Sequence, residues 1–330
     1  MAGNRQIVIQ TLPTDRLGEE HFRLVEGPMP AIGEGQVLVR SRLISLDAAN
    51  RAWMQGATYR QAVKAGDIMH AYSLGEVVES KAPGFAKGDK VFGEGGWQEF
   101  YAMEARRLEK ARAYEPESHL LSLIGIAGKT AYHGLINVGR PKAGETVVVS
   151  AAAGSVGSFV GQIAKAVGCR AVGIAGGAEK CKWLVDELGY DAAVDYKAKS
   201  FRKDLAAACP QGIDVFFDNV GGPVLEAALF QMNQRGRVVC CGAVSQYDTS
   251  NLQSPRGVPG LLVVKRLRME GFIVMDYADQ DKEAEDKLLG WAKTRKIKVV
   301  EDIVDGLENA PRALIGLLAG ENRGKRMVRV

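Results

Sequence analysis

The sequence predicts an α/β protein in two parts: a β-rich part that owns both chain ends, and a doubly wound parallel sheet inserted into it. Three observations predict this. Before about residue 120, apolar residues come in short stretches broken by turn signals, and "EGQVLVR" alternates with period two. From about Ser122, runs of continuous Val, Ile and Phe alternate with helical segments, as in strands buried on both faces. The last strand, "GKRMVRV", resembles the first part more than the second. The expected division is 1–121 with 298–330, and 122–297.

In chain order, "RQIVIQ", "GQVLVRSRLISLD", "LGEVVES" and "GDKVFGEGGWQEFYAM" read as strands. The Gly and Pro of "APGFAKGDKV" mark a tight turn, so this half is expected to be all-β and barrel-like. "TVVVS" is then a strand, followed by a helix from about Ser155 with Val156, Val160, Ile163, Ala164 and Val167 on one face. The pattern repeats through "RAVGIA", "AEKCKWLVDELG", "AAVDY", "GIDVFFDNVGG", "PVLEAALFQM" and "GRVVCCGA", with "RMEGFIV" as one more strand. "LENAPRALIGLLAG" closes the chain as a helix before the final strand.

A chain of 330 residues suits two domains, and 46% hydrophobic with 25% charged residues supplies an ordinary core. The net charge of +4, from 43 basic and 39 acidic residues spread along the chain, argues against a nucleic-acid binder. Cys169, Cys181, Cys209, Cys240 and Cys241 are odd in number and lack framework spacing, which fits a reduced cytoplasm. "MAGNRQIVIQ" has no signal-peptide profile. Apolar runs such as "GLLVV" fall far short of the ~20 residues a membrane span needs.

"VVVSAAAGSVG" is a buried strand running into a small-residue turn and a helix, the arrangement that brings backbone N–H groups to a phosphate. No lysine stands where a P-loop needs one. In a dinucleotide turn, Gly154 and Gly157 supply close backbone approach and helix–strand packing, while Ala152 stands where the first Gly belongs. An NAD site places Asp or Glu at the end of the second strand; here Ile174 to Gly177 hold no acid, and Lys180 follows. That combination favours NADPH, although Lys180 alone also reads as a solvated surface lysine.

"PGFAKGDKV", "TAYHGL", "GETVVVSAAAGSVGSFVGQIAK", "VGIAGGAEKC", "FDNVGG", "GRVVCCGAVSQY", "RMEGF" and "ENRGK", in this order and spacing, resemble the zinc-free medium-chain dehydrogenase/reductases. Within them the chain is similar to the prostaglandin reductase and alkenal/one (enone) double-bond reductase branch, over nearly its whole length. The resemblance implies a GroES-like β-barrel, an inserted Rossmann domain, a cleft for nicotinamide and substrate between them, and a homodimer joined near "RMEGFIV". It implies that Gly154, Ser155, Val156 and Gly157 form the pyrophosphate turn, and that Lys180 and Tyr196 lie at the 2′-phosphate, with Gly177 a further cofactor-binding residue. Asn219 sits at a strand end where ligands gather and is a cofactor-binding candidate, while the run Cys241, Gly242, Ala243, Val244 and Ser245, then Phe272, Ile273 and Val274, and Asn322 would reach the nicotinamide end. Read without it, Tyr196 is also a strand-end aromatic, Asn219 a turn former, and Asn322 a helix C-terminal residue.

Zinc-dependent relatives hold metal through cysteine and histidine, but no cysteine precedes Cys169, and His21, His70, His119 and His133 lack paired ligand spacing. The expected chemistry is therefore metal-free hydride addition to the β-carbon of a small hydrophobic α,β-unsaturated carbonyl. The resemblance places Tyr247 beside the nicotinamide, which makes it the candidate proton and hydrogen-bond donor to the enolate, or else a loop aromatic packing on substrate. Tyr59 is the candidate substrate-side residue. The loop "SLDAANRAWMQG" carries Ala48 where the branch often has proline, which leaves the substrate open. A quinone or carbonyl reductase on the same scaffold is the alternative, and a non-catalytic NADPH-binding protein a more distant one.

Overall fold

The computed structural model describes residues 3–251 and 253–330. Contacts divide the chain into two compact units. The first runs to Leu121 and resumes at Glu301–Glu321 and Arg326–Val330; the second is Ser122–Val300 with Asn322–Lys325. Residues 298–300 and 322–325 thus group with the second unit, whereas the expected division gives them to the first.

In the first unit, β1 (Asn4–Ile9) pairs antiparallel with β2 (Phe22–Gly27). The long β3 (Gln36–Ser45) is followed by the short helix α1 (Ala49–Trp53). It pairs with β4 (Ser73–Ser80), and β4 with β5 (Lys90–Gly93). The other side of β3 takes β6 (Phe100–Glu104), while β7 (Glu109–Lys110) lies outside β5. The period-two alternation read in "EGQVLVR" places Val37 and Val39 inward, against Val77, Val91 and Met103.

The second unit begins with α2 (Ile126–Tyr132), which runs directly into a π-helical segment, His133–Gly139. Then come β8 (Thr146–Val149), α3 (Gly157–Ala166), β9 (Arg170–Ala175), α4 (Ala178–Leu188), β10 (Ala192–Asp195) and α5 (Phe201–Ala208). They are followed by β11 (Ile213–Asp218), α6 (Gly222–Gln231), β12 (Met232–Cys240), α7 (Val258–Lys265), β13 (Arg268–Gly271) and α8 (Asp281–Lys293). The six strands pair in parallel in the order β10-β9-β8-β11-β12-β13. Val147, Val148 and Val149 are fully buried, as a strand covered on both faces requires. Strand order reverses between β8 and β11, which is where doubly wound sheets open to take a ligand.

The chain completes the first unit's sheet with β14 (Glu301–Asp305), the helix α9 (Ala310–Leu318) and β15 (Lys325–Arg329). That sheet has seven strands, ordered β14-β15-β3-β4-β5-β7 with β6 beside β3. Among the described residues these pairings form an open path, so the expected barrel is an open sheet without a closing pair.

Two boundaries differ from the sequence pattern. The helix expected from Ser155 begins at Gly157. The strand "RMEGFIV" ends at Gly271, because the Phe272 ring leaves the sheet to sit edge-on to Phe217 and Tyr277. The sequence reading does not assign α5, α7 or α8, of which α7 is apolar all round.

Candidate active site

The turn after β8 carries its backbone strain one residue earlier than expected. Ala151 adopts the left-handed conformation (φ 48°), while Ala152 is fully buried and donates its N–H to Ile174 O at 3.0 Å. The missing first Gly therefore does not spoil the turn. Gly157 cannot be replaced so easily, since a Cβ there would stand 2.3 Å from Ala151 O and 2.7 Å from Ala152 Cα. The helix opening is braced from behind by Tyr190. Its hydroxyl donates to Gly157 O at 2.6 Å and accepts from Gly161 N–H at 3.1 Å.

The front of this turn fits a phosphate. Ser155, Val156 and Gly157 lead into α3, where the first N–H groups of a helix have no intrahelical acceptor and the helix dipole favours an anion. The buried Ser155 hydroxyl has no hydrogen-bond partner. A Cβ on Gly154 would meet only Ala151 O within 4 Å, at 3.2 Å, which leaves the backbone accessible.

At the ends of β9 and β10, Gly177 (φ 93°) caps α4 and has open space where a Cβ would lie. No acid ends β9, yet one arrives from the neighbouring strand. Asp195 of β10 accepts from the N–H groups of Gly177 and Lys197, both at 2.9 Å, and so holds the loop. Lys180, in the first turn of α4, donates from Nζ to Asn322 O at 2.7 Å. Asn322 is buried, and its Nδ2 donates to Gly324 O at 2.8 Å, so it is not the exposed end of a helix. Tyr196 is exposed, with the Lys197 ammonium 5.9 Å from its ring centre. Arg323 pairs with Glu179 and lies 5.6 Å from the Trp183 ring.

The switch point itself is tied together by polar groups. Ser150 Oγ donates to Asp218 Oδ1 at 2.9 Å and accepts from Asn219 N–H at 2.8 Å, while Asn219 Nδ2 donates to Ser150 O at 2.7 Å. Asp218 also accepts from the N–H groups of Val220 and Gly221, and burial pushes its carboxyl up. The segment after β12 docks on this loop: Cys241 and Gly242 N–H donate to Asp218 O, Val244 N–H to Asn219 O, and Ser245 Oγ to Val220 O at 2.6 Å. Tyr247 folds back so that its hydroxyl accepts from Ala243 N–H at 3.1 Å, and burial raises its phenol above the ordinary value. Burial likewise pushes the Cys240 thiol up to about 11 and the Cys241 thiol to about 12, so neither is a ready nucleophile. Phe272, Ile273 and Val274 follow β13 directly and are half-buried.

Every cofactor-side candidate except Asn322 thus lies just past the carboxyl end of one of the six parallel strands, and Asn322 joins them through Lys180. Tyr59 belongs to the first unit, exposed in the segment between α1 and β4. Among the described residues no group of three or more His, Cys, Asp or Glu could hold a metal ion. Sequence reasoning missed the supporting residues Ser150, Asp218, Tyr190 and Asp195. Gly157 and Gly161, spaced four apart on the helix, were the available signal for Tyr190.

Known proteins match along the whole chain. A family described as the N-terminal domain of oxidoreductases matches residues 5–111, and one described as zinc-binding dehydrogenase matches residues 155–292. The NADPH-dependent curcumin reductase of Escherichia coli (strain K12) is 42% identical, over 99% of this chain and 97% of that protein. The prostaglandin reductase 1 of Bos taurus is 40% identical, over 93% of each chain. The crystal structure of CurA from Vibrio vulnificus in complex with NADPH superimposes with a TM-score of 0.95 at 38% identity, covering 99% of each chain. The chain belongs to the medium-chain dehydrogenase/reductases, in the branch of the enone and alkenal reductases.

Proposed function

We propose that this protein uses NADPH to reduce the C=C bond of small hydrophobic α,β-unsaturated ketones and aldehydes. One observation carries the reading: the candidate residues gather at the carboxyl ends of β8 to β13, around a switch point whose first turn offers helix N–H groups and an unpartnered Ser155 hydroxyl. The identity to NADPH-dependent reductases supports it.

In this reading Gly154 to Gly157 hold the pyrophosphate, while Gly177, Lys180 and Tyr196 hold the 2′-phosphate. Asn219, Cys241 to Ser245, Phe272 to Val274 and Asn322 line the nicotinamide end. When bound, NADPH supplies the hydride that adds to the β-carbon of the substrate. The protein must then stabilise the negative charge on the carbonyl oxygen and deliver a proton to the α-carbon. Tyr247 suits both tasks, because a phenol carries its proton at neutral pH and its hydroxyl hydrogen is free to point away from Ala243. Hydrogen-bond donors suffice to stabilise an enolate, and the described residues hold no group of three or more His, Cys, Asp or Glu that could place a metal ion there. Tyr59 is the proposed substrate-side residue.

The protein is further proposed to be a cytoplasmic homodimer. Its five cysteines are free thiols, and no described helix is long and apolar enough to cross a membrane. β13 is one of the two edge strands of the parallel sheet, with one edge for a second copy to pair with. Light scattering at micromolar concentration is expected to return about twice the chain mass of 35.6 kDa. A monomer would remove the dimer and leave the chemistry untouched.

Fluorescence titration with NADPH and NADH, then absorbance assays with simple enones and enals, tests the function. Preference for NADPH with a saturated ketone as product is expected. If the product is hydroquinone or alcohol with the alkene untouched, the site is a quinone or carbonyl reductase instead.

A further inference from the structure

The "TAYHGL" motif ends α2 in a π-helical turn, and nothing in the proposed chemistry uses its histidine. His133 is fully buried. Its Nε2 lies 3.1 Å from Asp281 Oδ1, and its Nδ1 lies 3.1 Å from Asn137 Nδ2. Asn137 Nδ2 also donates to Gln280 Oε1 at 2.9 Å, so both amide hydrogens have acceptors when Nδ1 carries none of its own. The ring hydrogen is then on Nε2, donated to Asp281. Lys129 holds the other oxygen of that carboxylate at 2.9 Å and reaches Glu285 at 2.9 Å.

The faces of this ring matter as much as its nitrogens. Tyr277 stacks on His133, with centroids 5.1 Å apart and planes 13° from parallel. Tyr277 in turn meets Phe272 edge-on at 6.4 Å, and Phe272 meets Phe217 of β11 edge-on at 6.4 Å. Gly134, beside His133 on the π turn, leaves the notch that receives these rings. A Cβ there would stand 2.5 Å from Phe272 Cζ and 2.7 Å from Phe217 Cε2. Residues 272–280 are thus held by the π turn at both ends: Phe272 in the Gly134 notch, and Tyr277 and Gln280 on the His133–Asn137 pair. A π turn inside a helix places consecutive side chains where α geometry would not, and such turns concentrate at functional sites.

We infer that His133 is a positioning residue for the nicotinamide end of the cofactor, acting through Tyr277 to fix the path of Phe272–Val274. The inference rests on the reading that Phe272–Val274 contact that end of NADPH. His133 touches no substrate in this account. It sets where the backbone of 272–274 lies, and Asp281, clamped by Lys129, sets where His133 lies.

The test separates the two ends of the cofactor in the full-length protein. Affinity for NADPH and for 2′,5′-ADP, which lacks the nicotinamide, would be measured for His133→Leu, Tyr277→Ala and Phe272→Ala, with thermal melts alongside. His133→Leu and Tyr277→Ala are each expected to weaken NADPH by about tenfold while leaving 2′,5′-ADP within about twofold. His133→Phe, which keeps a stacking ring, should recover most of that loss. Equal weakening of both ligands, or of neither, overturns the inference. If His133→Leu does not fold, Tyr277→Ala alone decides, because its ring is only half-buried. Should Phe272→Ala spare the difference between NADPH and 2′,5′-ADP, the placement of 272–274 fails first. Should Phe272→Ala weaken NADPH while the other two variants do not, only the role of His133 falls.

Discussion

Lys180 and Tyr247 make the sharpest demands on single side chains. Lys180→Ala is expected to weaken NADPH relative to NADH by ~1.5–3 kcal/mol, the worth of a charge-assisted hydrogen bond to phosphate. Because Nζ also ties Asn322 O, a smaller loss common to both cofactors should accompany it, and titrating both isolates the phosphate contribution. Equal losses would show that Lys180 serves only the Asn322 carbonyl. For Tyr247→Phe, steady-state assays should show turnover lower by about 10²-fold, the low end of what a positioned proton donor contributes, with NADPH affinity nearly unchanged. An unaltered rate would assign the proton to water. At this scale the sequence was informative where chemistry depends on residue type: glycines, the lysine and the absent acid are all visible in the string. It was silent where function depends on conformation. Ala151 in the left-handed region and the folded-back Tyr247 hydroxyl arise from neighbours that no spacing rule names.

Among the elements, α3 shows how packing supports a ligand site. Gly161 lies under Tyr190, where a Cβ would stand 1.9 Å from the ring, and the phenol hydroxyl bridges two backbone groups of the helix. Tyr190→Phe should destabilise the fold by about 0.5–1.5 kcal/mol, since the buried bonds of its hydroxyl to Gly157 O and Gly161 N–H are lost. Urea unfolding checks this, and a change below 0.5 kcal/mol would mean that water replaces the hydroxyl. The six parallel strands were legible because strands buried on both faces need continuous apolar runs. The helices α5 and α8 were not, because each needs few buried positions where it packs: only Leu205 on α5, and Ala284 and Leu288 on α8, are buried. The end of β13 was misplaced for a physical reason. "GFIV" has strand propensity, but the notch at Gly134 draws Phe272 out of the sheet.

For the whole molecule, acid is the condition that exposes how charge is held. Burial alone would raise the carboxyls of Glu117 and Glu145. Hydrogen bonds from Lys90 and Arg42 to the first, and from Arg237 and Lys142 N–H to the second, outweigh it, so both titrate below the ordinary range. A carboxyl lowered by folding stabilises the native state wherever it is ionised in both states, above the unfolded value of about 4.3. That contribution disappears as pH falls through the folded value. The melting temperature should therefore drop below about pH 4.5, and Glu145→Gln should drop less over the same range. A variant that loses as much as the parent would place the acid sensitivity elsewhere. The two-part organisation was legible from texture alone. The short return of residues 322–325 to the second unit was not, because four residues carry no pattern of their own.

That return has a consequence for how such a protein could be taken apart or recombined. The carbonyl that anchors Lys180 and the arginine that pairs with Glu179 are encoded more than 140 positions downstream of them. A fragment cut at 122 and 300 would carry the whole parallel sheet yet lack both. In a chimera made by exchanging that stretch between relatives, cofactor preference would be inherited from two parents at once. Crossovers that keep residues 322–325 with the sheet should retain the parental discrimination between NADPH and NADH.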